Sequence, residues 1–181
     1  MEPPQVAAYG SNVWLTGQQQ ILPGHAFLAT SHDNGRTFSV AVKPALSSVN
    51  GCGLDPTSPS IIWAQCDGGN MRGDIPLSRD GGAHWITTSM DKGGFAWGVF
   101  DPASRSAAYF VNGLYPSRIY RIDVQDQGIA PIGRAPNSDL SALVLTGASH
   151  GLALSGPVGA NDRRVLYRTS DGGAEWQRVV I

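Results

Sequence analysis

The chain has 181 residues, of which 41% are hydrophobic and only 15% charged, and it contains 23 glycines and 12 prolines. A net charge of −1 argues against a nucleic-acid or anionic-membrane partner held by bulk positive charge. No apolar run approaches the roughly 20 residues of a membrane helix. From the charge we therefore expect no nucleic-acid binding, and from the lack of an apolar run we expect no membrane insertion. The composition is typical of many short strands joined by tight turns.

Four groups of short apolar runs follow one another along the chain, each bounded by Gly, Pro, Asn, Asp or Ser. The first group reads QVAAYG, VWLTG, HAFLATS and TFSVAV, and the second reads NGCGL, IIWAQC, IPLS and WITTS. The third reads GFAWGVF, AAYFVNG, RIYRID and IAPIG, and the fourth reads SALVLTG, HGLALSG, RVLYRTS and EWQRVVI. No segment shows sustained helical periodicity, so each group predicts four antiparallel strands.

One polar turn returns three times between the third and fourth runs of a group. It reads SHDNGRTF at 31–38, SRDGGAHW at 78–85 and TSDGGAEW at 169–176, and we call these the first, second and third repeated turns. Their aspartates are 47 and then 91 residues apart, which is one and then two periods of roughly 46. Where a copy is missing, the segment RIYRIDVQDQGIAPI has a turn with Asp126 and Gly128 and indicates a fourth copy without its aromatic residue.

A period of about 46 residues with four strands is typical of a β-propeller blade. We predict an all-β chain with a single propeller domain over 1–181. Its blades are expected at roughly 5–42, 49–89, 95–133 and 140–181.

The residues of the repeated turns suit a structural role. An Asp side chain accepts hydrogen bonds from backbone N–H groups two or three residues further on, and the following glycine supplies a backbone angle that other residues resist. The closing aromatic can fold over the hairpin as a lid. Copies in different blades cannot converge on one substrate. We therefore interpret the shared positions as structural: Ser31, Asp33, Gly35, Phe38, Ser78, Asp80, Gly82, Trp85, Thr169, Asp171, Gly173 and Trp176.

The pattern S/T-x-D-x-G-x-x-W/F resembles the Asp-box, also called the bacterial neuraminidase repeat. The resemblance implies a β-propeller with its boxes between the third and fourth strands of each blade, on the rim away from the ligand. Sialidases, xyloglucanases, sortilin-type receptors, and photosystem II assembly factors with their bacterial relatives have this box, so it implies no single function. Such propellers usually close with six or more blades. Four blades therefore form a tight ring, pair with a second copy or another protein, or belong to a larger propeller.

Sialidase-like chemistry requires an arginine cluster, a tyrosine nucleophile, a glutamate partner and an acidic proton donor. The chain has two glutamates, Glu2 near the N-terminus and Glu175 inside the third repeated turn, and neither is placed to activate a tyrosine. A glycosidase with two aspartates about 5–10 Å apart stays open. We predict a non-catalytic binding or scaffold module that recognises a protein or a glycan. The alternative is a glycoside hydrolase with part of its active site outside this chain.

The ligand face of a propeller consists of the loops between strands two and three of each blade and the connections between blades. Charged and aromatic residues there are candidates for ligand contact, and no pair among them is favoured. These candidates are Asp67, Arg72, Asp74, Asp91, Lys92, Tyr115, Asp139, Asp162 and Arg163. Most aspartates in such loops form turns instead.

The two cysteines and four histidines indicate no metal site. Cys52 and Cys66 lie on consecutive runs and can form a disulfide if their Cα atoms lie within about 4.4–6.8 Å; two buried thiols are the alternative. No histidine has a metal-ligand spacing, and we expect no cofactor. The family resemblance favours an extracellular or periplasmic location. The segment MEPPQVAAYG lacks the features of a signal peptide, so a cytoplasmic location stays open.

Overall fold

The computed structural model describes residues 5–18, 26–42, 49–68, 72–89, 100–101, 107–111, 118–125, 128–136, 140–146, 149–155 and 164–180. Within these ranges the chain forms sixteen strands, arranged as four antiparallel sheets of four strands each. No helix in this part of the chain is long and apolar enough to cross a membrane. The prediction of an all-β chain built from four-stranded antiparallel sheets is confirmed.

The first sheet follows the chain from one edge to the other. Its strands are β1 (Gln5–Tyr9), β2 (Asn12–Gln18), β3 (Ala26–Ser31) and β4 (Ser39–Val42). Gly10 has a φ of 60°, in the left-handed region, which lets β1 turn into β2 within two residues, so that Tyr9 pairs with Asn12.

The second sheet has the same strand order. Its strands are β5 (Val49–Pro56), β6 (Ile62–Gly68), β7 (Arg72–Ser78) and β8 (Ile86–Ser89). The turn from β5 to β6 is closed by Ser58, whose Oγ accepts the Ile61 N–H at 2.9 Å. Ser58 is 5% exposed, so this bond satisfies a hydroxyl that is cut off from water.

The third and fourth sheets complete the described structure. The third contains β9 (Phe100–Asp101), β10 (Ala107–Val111), β11 (Arg118–Asp123) and β12 (Ile129–Arg134). The fourth contains β13 (Leu140–Thr146), β14 (His150–Ser155), β15 (Leu166–Thr169) and β16 (Gln177–Arg178). In β13, Leu143 and Leu145 are buried whereas Val144 between them is 50% exposed, because successive side chains of a strand point to opposite faces.

The chain divides into two compact units, Met1–Asp91 and Lys92–Ile181, and each contains two sheets. Each unit has its own core between its sheets, where the burial of apolar surface favours the packed state. The core of the first unit includes Trp14, Leu28, Leu54, Ile62 and Ala64. The core of the second unit includes Tyr109, Ile119, Leu143, Leu145 and Ala153.

Candidate functional site

The second repeated turn is held by hydrogen bonds within its own loop. Ser78 is fully buried at the end of β7, and its Oγ donates to Asp80 Oδ1 at 3.0 Å. The same oxygen accepts the Gly82 N–H at 2.8 Å. Asp80 Oδ1 in turn accepts the His84 N–H at 2.8 Å. The two side chains thus satisfy backbone donors that strand pairing cannot reach.

The first and third repeated turns have the same network. Ser31 Oγ donates to Asp33 Oδ1 at 2.7 Å, and Thr169 Oγ1 donates to Asp171 Oδ1 at 2.7 Å. In each turn the N–H of the glycine four residues after the Ser or Thr donates back to the hydroxyl, at 2.9 Å and 3.0 Å. The repeated polar residues therefore shape their own hairpins.

Each repeated turn contains two successive residues with positive φ. The second residue of each pair has a φ of 80°, 98° or 95°, at Gly35, Gly82 and Gly173 respectively. The first residue has a φ of 61°, 70° or 76°, at Asn34, Gly81 and Gly172 respectively. Sequence reasoning missed this first left-handed position. Its signal is the residue type, because Asn and Gly tolerate this conformation best and one of them precedes the glycine in every copy.

The same hydrogen bonds hold the three aspartates in their ionised form. Hydrogen bonds from the side chain and backbone of Thr37 lower the pKa of Asp33 to about 2. Burial raises the pKa of Asp80, but hydrogen bonds from His84 outweigh this effect and bring it to about 2. The backbone N–H of Glu175 is the largest cause that lowers the pKa of Asp171. Carboxylates in this state are unsuited to donate a proton near neutral pH.

The glycines of the second and third repeated turns lie against the neighbouring sheet of their unit. A Cβ at Gly82 would lie 2.8 Å from Leu28 Cδ2 of the first sheet, and one at Gly173 would lie 3.3 Å from Ile119 Cδ1 of the third sheet. Trp14 of the first sheet also donates from Nε1 to the carbonyl oxygen of Gly81 at 2.9 Å. These turns therefore join sheets as well as strands.

The hairpin between β11 and β12 is shorter than the repeated turns. Its second strand begins six residues after the first ends, whereas eight residues separate these points in the three repeated turns. Asp123 closes it, because its Oδ1 accepts the Gln125 N–H at 2.8 Å and its N–H donates to the Gly128 carbonyl at 3.2 Å. Asp126, the aspartate that the sequence pattern indicated, lies outside the described residues. The imperfect copy is thus a shorter turn with Asp123 at the position of the buried Ser or Thr.

Three of the predicted ligand residues lie at the end of the second sheet opposite its repeated turn. Arg72 begins β7 and Ser78 ends it, so about 20 Å of extended strand separates the two ends. Asp67 and Asp74 occupy adjacent register positions rather than facing each other, because Asp74 pairs with Cys66. The remaining candidates lie outside the described residues and stay predictions: Asp91, Lys92, Tyr115, Asp139, Asp162 and Arg163.

A bulge in β5 lies opposite Cys66. The β5–β6 register shifts between Asn50 and Gly53, which leaves Gly51 and Cys52 opposite that single residue. Opposed residues of antiparallel strands have Cα atoms about 4.5–5.5 Å apart, within the range that a disulfide requires. The register shift places Cys52 near Cys66 along the paired strands, and a Cys52–Cys66 bond stays a prediction. Among the described residues, no three His, Cys, Asp or Glu side chains are grouped so that they could hold a metal ion.

Comparison with known proteins shows the fold. No protein-family model and no curated protein sequence matches the chain. Among solved structures, the GH74 enzyme of Niastella koreensis matches 93% of the chain with 18% identity and a TM-score of 0.53. YCF48 bound to a D1 peptide matches 96% of the chain with 13% identity and a TM-score of 0.53, and YCF48 from Cyanidioschyzon merolae matches 94% with 14% identity and a TM-score of 0.49.

The chain spans only part of these proteins, namely 28% of the GH74 chain and 65% and 67% of the two YCF48 chains. At such identities the likeness concerns the fold alone. The GH74 enzyme and YCF48, a photosystem II assembly factor, are both β-propellers, so the predicted β-propeller fold is confirmed. An enzyme and a peptide-bound protein share this fold, and the fold alone does not choose between catalysis and binding.

Proposed function

We propose that this chain is a non-catalytic β-propeller module that binds a segment of another protein at the sheet ends opposite the repeated turns. The observation that carries the proposal is the use of the repeated polar residues. Asp33, Asp80 and Asp171 all accept hydrogen bonds from their own turns, and their lowered pKa values keep them ionised. The repeat is therefore a framework, and recognition falls to the loops that differ between blades.

The loop residues support a protein ligand of mixed charge. Arg72 and Asp74 lie in β7 and Asp67 lies in the paired strand β6, so one hairpin contains both signs of charge. Charged pairs of this kind set register and specificity in protein complexes more than they add affinity. YCF48, one of the structural neighbours, is bound to a peptide, which supports a polypeptide before a glycan as the ligand.

Selection from a displayed peptide library, run in parallel with a glycan array, tests this proposal. We expect selected peptides to bind the chain and the glycan array to stay empty. The variant Arg72→Ala should weaken peptide binding, whereas Arg36→Ala, which removes an exposed arginine beside the first repeated turn, should leave it unchanged. Equal losses in both variants, or binding to glycans alone, would overturn the proposal.

A carbohydrate-active hydrolase is the second candidate, and the fold match to the GH74 enzyme favours it. The chain spans 28% of that enzyme, so further site residues would come from outside these 181 residues. Release of reducing sugar from xyloglucan tests this alternative directly. Turnover that is lost in Asp67→Asn or Asp74→Asn would establish the hydrolase in place of the binding module.

A further inference from the structure

The sheets of both units stack in the same sense. The second sheet packs on the first through the face that carries Gly82 and Trp85, and the fourth packs on the third through the face that carries Gly173 and Trp176. We call this the turn face of a sheet, and we call its opposite face the receiving face. Each unit thus contains one contact between a turn face and a receiving face.

The turn face of the first sheet is exposed where its counterparts are buried. One register position of the first strand can be compared between sheets. It is occupied by Val6 in the first sheet, by Leu54 in the second and by Leu143 in the fourth. Leu54 and Leu143 are 8% and 3% exposed, because a sheet covers them, whereas Val6 is 64% exposed. The three heavy atoms nearest to a Cβ placed on Gly35 belong to Phe38 and Val13 of the same sheet.

Other apolar side chains extend this exposed face. Val40 pairs with Ala29 and is 65% exposed, and Phe38 is 39% exposed, whereas Trp85 and Trp176 pack against core clusters. Ala29 itself is buried, so the larger side chains around it provide the exposed apolar surface. Contiguous apolar surface of this kind marks an interaction site in soluble proteins.

The receiving face of the fourth sheet is the matching free surface. Val144 and Leu152 pair with each other and are each 50% exposed. The equivalent pair in the first sheet is Ala7 and Trp14, and Trp14 is fully buried under the second sheet. The fourth sheet therefore has an apolar receiving face without the cover that the first sheet has in its unit.

We propose that the receiving face of the fourth sheet in one copy of this chain packs on the turn face of the first sheet in a second copy. The two free faces are the two halves of a contact that the chain already forms twice, between its first and second sheets and between its third and fourth. Because each free face repeats one half of that contact, we assign another copy of the same chain as its occupant. The contact is head-to-tail, and such contacts build rings when the rotation closes.

Light scattering coupled to size exclusion, from low to high micromolar concentration, tests this association. We expect a species of at least twice the 19.1 kDa mass of the chain. Val6→Glu damages one face and Leu152→Glu the other, and each should weaken association about a hundredfold or more, because a buried unpaired charge is costly. Val180→Glu changes a residue that is 90% exposed and lies two residues beyond the end of β16, and it should associate like the parent chain.

A mixing experiment separates this contact from one between two identical faces. The Val6→Glu copy keeps an intact fourth sheet, and the Leu152→Glu copy keeps an intact first sheet. An equimolar mixture should therefore form heterodimers, although each variant alone stays monomeric. A parent chain that is monomeric at all concentrations, or a mixture that stays monomeric, would overturn the proposal. Circular dichroism of each variant shows whether it is folded.

Discussion

Ser31 and Ser78 are both fully buried, and each hydroxyl accepts the N–H of a glycine four residues later, yet the two repeated turns differ in what lies over that glycine. The three atoms nearest to a Cβ placed on Gly35 belong to its own sheet and lie 3.8 Å away or more, whereas Leu28 of the neighbouring sheet lies 2.8 Å from a Cβ placed on Gly82. The local sequence determines the hydrogen bonds of a turn, and the neighbouring sheet determines its packing.

Substitution of Gly35 and Gly82 by alanine should reveal this difference in packing most strongly. Both positions have positive φ, at 80° and 98°, so either substitution adds strain of about 1–2 kcal/mol. Gly82→Ala also forces its new methyl group against the buried Leu28, for a total loss of about 2–5 kcal/mol in the free energy of unfolding. Gly35→Ala should lose only the strain. Urea denaturation followed by tryptophan fluorescence measures both, and equal losses would contradict the packing difference.

Substitution of Ser31 and Ser78 by alanine should instead lower the free energy of unfolding by similar amounts. Ser31→Ala and Ser78→Ala each leave a glycine N–H and an aspartate oxygen without the hydroxyl that bonds them. We expect each variant to lose about 1–3 kcal/mol in the same denaturation measurement. Ser11→Ala is a control, because Ser11 is an exposed serine of the β1–β2 turn and alanine keeps the carbonyl oxygen that accepts the Asn34 N–H. A large difference between the two serine variants would show that the turns differ in hydrogen bonding too.

Acid should weaken the first and second repeated turns over the same pH range. The folded-state pKa of Asp33 and of Asp80 is lowered from 3.8 to about 2. Their contribution to stability is therefore complete above pH of about 4 and is lost as the pH falls through about 2. The urea concentration at the midpoint of unfolding, measured from pH 5 downward, should decrease between pH of about 4 and about 2. The decrease should be smaller in an Asp33→Asn, Asp80→Asn double variant. An unchanged acid limb in that variant would rule out these two carboxylates as its source.

The division between local and tertiary causes also explains what the sequence could predict. The four-strand groups and the repeated turns were predictable, because the strand pattern and each Ser–Asp–Gly network lie within a few consecutive residues. The bond from Trp14 to the Gly81 carbonyl joins residues 67 positions apart and depends on how two sheets stack. No turn pattern contains that information.

The hairpin that Asp123 closes was predicted only in part, for a related reason. The sequence pattern showed that a repeated turn was imperfect, and it pointed to Asp126 and Gly128. This loop is two residues shorter than the repeated turns, so the residue at the end of β11 is Asp123. The end of β11 is visible only in the structure. The ligand candidates are harder still, since their proximity depends on loops from different sheets.

The smallest effect concerns the seventh residue of each repeated turn. His84 Nδ1 lies 2.6 Å from Asp80 Oδ2, and Thr37 Oγ1 donates to Asp33 Oδ2 at the same distance, but the first is an ion pair when the imidazole is protonated. The His84 side chain is 88% exposed, so His84→Ala should lose less than about 1 kcal/mol. Because added salt screens charges, this loss should shrink in high salt, whereas the loss in Thr37→Ala should not.

The third repeated turn supplies the control for this prediction. Glu175 holds the seventh position there, and its backbone N–H, not its side chain, donates to Asp171. Glu175→Ala keeps that N–H, so it should not weaken the turn. Melting temperatures of the three variants at low and high salt make the comparison. A salt-independent loss at His84 would show that the imidazole acts as a neutral donor, as Thr37 does, and the first two turns would then differ in packing alone.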